Sequence, residues 1–211
     1  MSVPRIRWAV IGVVLLAAFL VLGRLVSHQP LAIDVTIADG LRGQYTRPAG
    51  KVAGVLTDVL GPVLPFVLGV ILVAVALRTR DRTGLCVRLA VVLVLCRLTS
   101  VVFKPIFLRQ RPREYPDLSY PSGHVVSVAS TGLVAVLLCA WLAPRLVRWA
   151  LAAALVATAL SAACRIVLGV HWFTDTVGAA LAVLGVGLLA AAALGLLPVP
   201  RDRVPAGADA A

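Results

Sequence analysis

Long apolar stretches separated by short polar segments dominate the chain. Six stretches approach or exceed the roughly 20 helical residues that cross the hydrocarbon core of a bilayer, and they cover about residues 6–26, 54–77, 85–103, 125–142, 149–170 and 176–197. The pattern predicts an all-α protein, a six-transmembrane-helix bundle that forms one membrane domain over residues 1–198. Residues 199–211, rich in Ala, Pro and Asp, are predicted to be a disordered cytoplasmic tail.

The second apolar stretch is the least regular, because Asp58, Gly61, Pro62 and Pro65 occupy its first half. Proline removes a helical hydrogen bond and favours a kink or a break. Two interpretations stay open. Either the entry of this helix is kinked and packed against protein, or the membrane span begins near Gly61.

Composition agrees with a membrane protein. Of the 211 residues, 61% are hydrophobic and 14% are charged, so a soluble domain would be left with more apolar surface than it could bury. A net charge of +11 would suggest a nucleic-acid partner in a soluble chain. Most arginines stand at the ends of apolar stretches, where they orient helices in a bilayer. We therefore expect contact with membrane lipids and no nucleic-acid partner.

The distribution of arginine predicts the topology. The positive-inside rule places both termini and one set of helix ends in the cytoplasm, and the arginines on that side are Arg5, Arg7, Arg78, Arg80, Arg82, Arg88, Arg145, Arg148, Arg201 and Arg203. The extracytoplasmic side holds a loop over residues 28–53, the segment 104–124 and the turn 170–175. Segment 104–124 is also basic, which departs from the rule unless its charges serve a site.

The four cysteines, Cys86, Cys96, Cys139 and Cys164, lie within or at the ends of apolar stretches. No C-x-x-C pair occurs among them. We expect neither a disulfide framework nor a zinc site.

The predicted topology brings three polar segments to one membrane face. They are "KPIFLRQRPRE" over residues 104–114, "YPSGH" over 120–124 and "CRIVLGVHWFTD" over 164–175. An active site built from 104–124 and 164–175 would combine the side chains of Lys104, Arg111, His124, Arg165, His171 and Asp175.

Three cations without an acidic cluster suit a phosphate, whose oxygens accept charge-assisted hydrogen bonds from lysine and arginine. Ser122 and Gly123 add a hydroxyl and an open backbone N–H at the predicted start of a helix, where anions are favoured. Of two histidines, one can attack phosphorus and the other can protonate the leaving oxygen. Asp175, four residues after His171, can hold the correct imidazole tautomer if the turn between them is helical.

These segments resemble the three-part signature of the type 2 phosphatidic acid phosphatase (PAP2) superfamily. The family pattern is K-x6-R-P, then P-S-G-H, then S-R-x5-H-x3-D. This chain has Lys104 with Arg111-Pro112, then Pro121-Ser122-Gly123-His124, then Cys164-Arg165, His171 and Asp175. The six-helix layout over roughly residues 6–197 also resembles the membrane members of the family.

The resemblance implies that His171 is the nucleophile that forms a phosphohistidine, with Asp175 as its orienting partner. It implies that His124 protonates the leaving group and then activates water, and that catalysis needs no metal or other cofactor. The implied phosphate-binding residues are Lys104, Arg111, Ser122, Gly123 and Arg165.

Cys164 stands where the family pattern has serine. A thiol is larger than a hydroxyl and a weaker hydrogen-bond donor. We therefore expect phosphate binding to be weaker or rearranged, and Cys164 receives no role of its own.

Other polar residues keep more than one interpretation. Arg109 and Arg113 lie off the family pattern, and contact with anionic headgroups explains them at least as well as a substrate role. Glu114 and Asp117 are interpreted as solvated loop acids.

Arg97 lies inside the third apolar stretch and shares a helical face with Val101 and Lys104. Charged residues within membrane helices tend to be functional and to point inward. A second phosphate contact and a structural pair with Asp58 are equally open.

The predicted function is an integral membrane phosphatase that acts on a lipid phosphate or diphosphate. Phosphatidic acid, phosphatidylglycerol phosphate and polyprenyl mono- or diphosphate all fit, and the composition, typical of a high-GC bacterium, adds a weak argument for a cell-envelope carrier such as undecaprenyl phosphate. One alternative is a phosphotransferase of the same family. The other is a non-catalytic protein that binds or transports an anionic lipid. The presence of both histidines and Asp175 opposes that alternative, whereas Cys164 favours it.

Overall fold

The computed structural model describes residues 3–198, which form seven α-helices joined by loops and three single-turn 3₁₀ helices. The α-helices are α1 (Val3–Val26), α2 (Ala32–Gly40), α3 (Pro48–Arg78), α4 (Thr83–Phe107), α5 (Gly123–Leu142), α6 (Val147–Val167) and α7 (Phe173–Ala193). All except α2 are long and apolar enough to cross a membrane. The all-α, six-span prediction is confirmed, and the protein is a multi-pass membrane protein. The tail predicted over residues 199–211 lies outside the described residues.

Helix α3 is continuous through Pro62 and Pro65 and begins at Pro48, earlier than the sequence predicted. The helix itself therefore begins well before Gly61, and a membrane span that begins near Gly61 stays a prediction, because 31 helical residues exceed the roughly 20 that a bilayer needs. Pro65 has no N–H to donate to the carbonyl oxygen of Gly61, four residues earlier. The Ser127 hydroxyl of α5 donates to that oxygen instead. This bond packs the entry of α3 against protein and replaces the helical hydrogen bond that proline removes.

The predicted loop over residues 28–53 contains α2, a helix of nine residues. It is too short to span a bilayer, and it packs against α7. The loop between α1 and α3 thus contains a short helix, α2, that contacts α7 near its start.

Helices α1 and α7 approach each other at glycines. A Cβ on Gly12 would lie 2.8 Å from Leu189 Cγ, and one on Gly185 would lie 2.8 Å from the backbone nitrogen of Leu16. Small residues allow such backbone approach between helices in a membrane, where packing rather than hydrophobicity drives association. Helix α5 is central, because it packs against α3, α4, α6 and α7.

One end of the bundle is closed by donors that satisfy the last carbonyl groups of α7. Arg5 of α1 donates to the oxygen of Ala193 at 2.7 Å, and Arg88 of α4 donates to the oxygen of Leu194 at 3.2 Å. Cations are favoured at a helix C-terminus. The starts of α1 and α4 therefore share one end of the bundle with the end of α7. The end of α4 and the starts of α5 and α7 lie at the opposite end.

An aromatic cluster at that opposite end holds the segment before α5. Tyr120 is fully buried, stacks on Phe19 with ring centroids 5.3 Å apart, and donates to the Phe19 oxygen at 2.7 Å. Gly178 of α7 leaves room for this ring, because a Cβ there would lie 2.3 Å from Tyr120 Cε2. Tyr120 thereby anchors Pro121 and Ser122 between α1 and α7.

Candidate active site

The three polar segments of the sequence meet at one end of the bundle, as the topology predicted. The first follows the end of α4, the second leads into α5, and the third connects α6 to α7. The backbone N–H of Ser122 donates to the backbone carbonyl oxygen of Asp175 at 3.2 Å, which joins the second segment directly to the third.

His171 and Asp175 form a buried pair. The distance from His171 Nδ1 to Asp175 Oδ2 is 3.2 Å, and the two side chains are 1% and 0% exposed. The turn between them is not helical, because α7 begins only at Phe173. Asp175 lies in the first turn of α7 and its Oδ2 accepts the Trp172 N–H at 2.8 Å. Capping of the helix start, rather than the helical spacing that the sequence suggested, aims the carboxylate at the imidazole.

Burial lowers the pKa of His171 from its usual 6.5 to about 4. The hydrogen bond and the charge of Asp175 act in the opposite direction, and the charges of Arg111 and Arg165 add to the lowering. The imidazole is therefore neutral near pH 7. With Nδ1 donating to Asp175, the lone pair of Nε2 faces away from the carboxylate.

Arg111 lies against the other side of the imidazole. Its Nη1 is 3.2 Å from His171 Nε2 and donates to the Val170 oxygen at 2.7 Å. The guanidinium also donates to the backbone oxygens of Asp117 and Leu118, at 2.6 and 3.1 Å. Burial lowers the pKa of Arg111, and neighbouring acids oppose that effect. The cation is held in one geometry beside Nε2.

Asp117 is bonded to two of the predicted phosphate-binding residues, Lys104 and Arg111. Its carboxylate accepts a hydrogen bond from Lys104 and lies 3.2 Å from Arg111 Nη2. Burial acts to raise the pKa of Asp117, but the hydrogen bond and charge of Lys104 outweigh it and lower the pKa. The interpretation of Asp117 as a solvated loop acid is corrected: it is a paired carboxylate beside the candidate site.

His124 and Arg165 complete the cluster. Arg165 is 5% exposed, and its charge acts on both His171 and His124. The charges that act on His124 are those of Arg165, Asp58, Arg111 and Lys104. All six charged and imidazole groups singled out in the sequence are therefore neighbours in the fold.

Two buried donors in this cluster have no hydrogen-bond partner among the described residues. They are the Ser122 hydroxyl, directly before α5, and Nε of Arg165. Gly123 begins α5, so its N–H belongs to the first turn, where backbone donors lack helical partners. Unsatisfied donors beside three cations suit an anion with several oxygens. Residues 3–198 contain no group of three or more His, Cys, Asp or Glu side chains placed to hold a metal ion.

A family model described as the PAP2 superfamily matches residues 85–196, which is more than half of the 211 residues. The chain belongs to the PAP2 superfamily. It is accordingly a PAP2-type membrane phosphatase, as the three-part signature indicated.

A solved PAP2 structure resembles this chain over most of its length. It is the crystal structure of "the first transmembrane PAP2 type phosphatidylglycerolphosphate phosphatase" from Bacillus subtilis. The TM-score is 0.71 and the sequence identity is 24%, with 91% of this chain and 98% of that chain covered. The similarity shows that the six-helix bundle is the PAP2 fold. No curated protein matches the sequence.

The PAP2 signature missed a buried arginine. Arg109 is 2% exposed and pairs with Asp34 at 2.7 Å and with Asp175 at 2.6 Å. The headgroup interpretation of Arg109 is therefore wrong. Its partner Asp34 lies 75 positions earlier on α2, and no local pattern joined the two residues.

One other interpretation is decided by the structure. Arg97 donates to the Ser127 hydroxyl and forms no ion pair with Asp58 among the described residues. The interpretation of Arg97 as a structural partner of Asp58 is therefore wrong. Arg113 lies over the ring of Tyr45, 4.4 Å from its centroid. Cys164 is 4% exposed, and its thiol makes no hydrogen bond in the described part of the chain.

Tyr115 is a further neighbour that sequence patterns did not identify. Its ring lies under Arg111, with the guanidinium carbon 4.3 Å from the centroid, and its hydroxyl interacts with Arg165. The side chain is 44% exposed. Tyr115 therefore bridges two candidate phosphate ligands at the mouth of the site.

A cavity of about 390 Å³ opens on the α2 side of His171. Its wall includes Ile37, Tyr45, Trp172 and Phe173. Helix α2 and the turn before α7 thus enclose a space that reaches the candidate nucleophile.

Proposed function

We propose that this PAP2 protein hydrolyses a lipid phosphate or diphosphate through a phosphohistidine at His171. The observation that carries the proposal is the arrangement of one buried imidazole, whose Nδ1 is 3.2 Å from Asp175 and whose Nε2 is 3.2 Å from Arg111. A neutral nucleophile therefore stands beside a cation that can hold a phosphoryl oxygen.

In this proposal the phosphoryl oxygens bind to Lys104, Arg111 and Arg165. The Ser122 hydroxyl and the Gly123 N–H add neutral donors at the start of α5. Asp117 gives up its bonds to Lys104 and Arg111 when the anion arrives. The phosphate dianion carries more charge than the carboxylate and accepts more hydrogen bonds, which favours the exchange.

The reaction has two steps. His171 Nε2 attacks phosphorus, a P–N bond forms and the P–O bond to the lipid breaks, while His124 gives its proton to the leaving oxygen. His124 then takes a proton from water, and the oxygen of that water attacks phosphorus. The P–N bond breaks, inorganic phosphate leaves and His171 is neutral again. Asp175 holds the Nδ1 proton throughout and stabilises the charge that develops on the ring.

A site at the end of a membrane bundle suits a substrate whose headgroup is polar and whose tail stays in the bilayer. The arginine-rich end of the bundle would face the cytoplasm by the positive-inside rule, which places the site on the extracytoplasmic side. A reporter fused after residue 203 should then be active in the cytoplasm. External activity of that reporter would reverse the orientation.

Phosphatidylglycerol phosphate is the first substrate to test, because the Bacillus subtilis protein of the same fold is described as a phosphatase for that lipid. Phosphatidic acid and polyprenyl mono- and diphosphates, undecaprenyl among them, complete the panel. All present a terminal phosphoryl group, which is the part that the candidate site would bind.

The test is release of inorganic phosphate from this panel by the purified protein in detergent with EDTA, beside His171→Ala. We expect release by the parent protein only, while both proteins bind inorganic phosphate, because the substitution leaves the cations in place. Equal release by the variant would refute the mechanism. Transfer to an added alcohol that exceeds release would show a phosphotransferase. Lipid binding by the parent without release or transfer would show a binding protein.

A further inference from the structure

We propose that Arg109 is a positioning residue that fixes the carboxylate of Asp175, and that Asp34 of α2 fixes Arg109 in turn. The inference rests on the proposed function, since it assigns the support of the His171–Asp175 pair. It makes α2, a short helix outside the membrane spans, part of the catalytic apparatus.

The two oxygens of Asp175 have different partners. Oδ2 faces His171 Nδ1 and accepts from the Trp172 N–H and the Ser119 hydroxyl. Oδ1 accepts from Arg109 Nη1 at 2.6 Å. Arg109 therefore holds the oxygen that the imidazole does not use, and it fixes rotation of the carboxylate about its axis. A carboxylate that orients a catalytic histidine must itself be oriented.

Arg109 is held from its other side by Asp34. Its Nη2 donates to Asp34 Oδ2 at 2.7 Å, and its Nη1 also donates to the Thr174 hydroxyl at 2.7 Å. Asp34 is 1% exposed, and its Oδ1 accepts the Thr174 N–H at 2.9 Å. Asp34 thus binds both the guanidinium and the first turn of α7, next to Asp175.

The two ion pairs account for the buried charge of Arg109. A buried ion is costly unless it is paired and hydrogen-bonded. Both terminal nitrogens of Arg109 donate to carboxylates, whereas its Nε has no hydrogen-bond partner among the described residues. Arg109 is shared by two carboxylates, and one of them is the partner of His171. Loss of Arg109 would leave both carboxylates without their shared cation.

The loss would also change the electrostatic field at His171. The charged groups that act on its imidazole are Asp175, Arg111 and Arg165, with Arg109 behind Asp175. Removing the Arg109 charge leaves the negative charge of Asp175 less compensated, which favours the imidazolium. In a plot of kcat against pH, the acidic limb reflects protonation of His171. That limb should then move toward neutral pH.

The experiment compares Arg109→Met, Arg109→Lys and Asp34→Asn with the parent protein. Arg47→Met and Asp81→Asn are matched controls, because both side chains are exposed and neither lines the cavity beside His171. The readouts are kcat, KM, the inhibition constant of inorganic phosphate, and kcat against pH. Every profile uses one lipid substrate, so that the ionisation of the substrate cancels.

We expect kcat of Arg109→Met to fall about 100-fold, the inhibition constant of inorganic phosphate to change little, and the acidic limb of the pH profile to rise by about one pH unit. Arg109→Lys keeps the charge, so the acidic limb of its kcat profile should stay at the parental pH. Its kcat should lie between those of the parent and Arg109→Met. Asp34→Asn should lower kcat without raising the limb, because it removes a negative charge. Both controls should match the parent.

Parental kcat and pH profile in Arg109→Met would overturn the inference, and so would identical profiles for Arg109→Met and Arg109→Lys. A large loss of affinity for inorganic phosphate would also overturn it, because Arg109 would then bind the phosphoryl group. If Arg109→Met does not fold, Arg109→Lys and Asp34→Asn decide by the same criteria. An inactive parent protein would refute the proposed function instead.

Discussion

Gly61→Ala should disable the proposed acid–base residue while leaving the phosphate ligands intact. A Cβ on Gly61 would lie 2.6 Å from Cδ2 of His124, and the next two atoms, at 3.3 and 3.4 Å, belong to the same ring. Real Cβ contacts are rarely shorter than about 3.4 Å, so the ring must move by roughly 1 Å. The backbone of α3 has little room to yield, because the Gly61 oxygen accepts from Ser127.

A displacement of about 1 Å of a catalytic group can cost about 100-fold in rate. We therefore expect kcat of Gly61→Ala to fall about 100-fold with little change in the inhibition constant of inorganic phosphate. The effect on stability should be small, because the gain of about 1 kcal/mol from replacing glycine in a helix offsets overpacking of 1–3 kcal/mol.

The assay is phosphate release from one lipid substrate, with Gly54→Ala and Gly69→Ala as matched controls. Both glycines lie on α3, and a Cβ at either position meets no atom within 4 Å. The controls should keep parental kcat. A kcat of Gly61→Ala within threefold of these controls would refute the assignment of His124 as the proton donor.

Three further predictions concern single groups of the site. Cys164→Ser should keep or raise activity, because a hydroxyl donates better than a thiol, and complete loss in the phosphate-release assay would show that the thiol itself is required. Asp117→Asn should lower the inhibition constant of inorganic phosphate about fivefold, since one negative charge near a surface anion is worth about 1 kcal/mol, whereas an unchanged or higher constant would show that the carboxylate positions the cations rather than competes for them. The free energy of unfolding should fall as the pH drops from 6.5 toward 4, by up to about 3 kcal/mol, because the pKa of His171 is lowered to about 4 by burial and the unfolded chain takes up the proton first. Thermal unfolding at several pH values should show this loss of stability in the parent and less of it in His171→Gln. Equal losses in the two proteins would show that His171 does not cause the pH dependence.

The membrane fold was largely predictable from the sequence, because only helices can satisfy their backbone hydrogen bonds in a bilayer. Apolar length therefore located the spans, and alternation of direction placed Lys104, His124 and His171 at one end. Helix α2 was missed because nine residues in a polar loop carry too weak a pattern. The start of α3 was misjudged because compensation by Ser127 for Pro65 depends on a neighbouring helix.

The same limit applies within the candidate site. Spacing located the residues of the three segments, since each segment is local. The burial of Arg109 depends on Asp34, which is distant in the sequence, so a basic loop residue looked like a headgroup contact. The pairing of Asp117 with Lys104 depends on how the loop after α4 folds back. Long-range charge pairs leave no periodic pattern in the sequence.

The central claim is that His171 forms the covalent intermediate, and trapping that intermediate tests it most directly. The purified protein would be mixed with a lipid phosphate labelled in its terminal phosphoryl group, quenched within milliseconds and digested. The account predicts an acid-labile, alkali-stable label on the peptide that contains His171, absent from His171→Ala and longer-lived in His124→Ala. Turnover of the substrate with no label on that peptide, or a label that persists in His171→Ala, would contradict it.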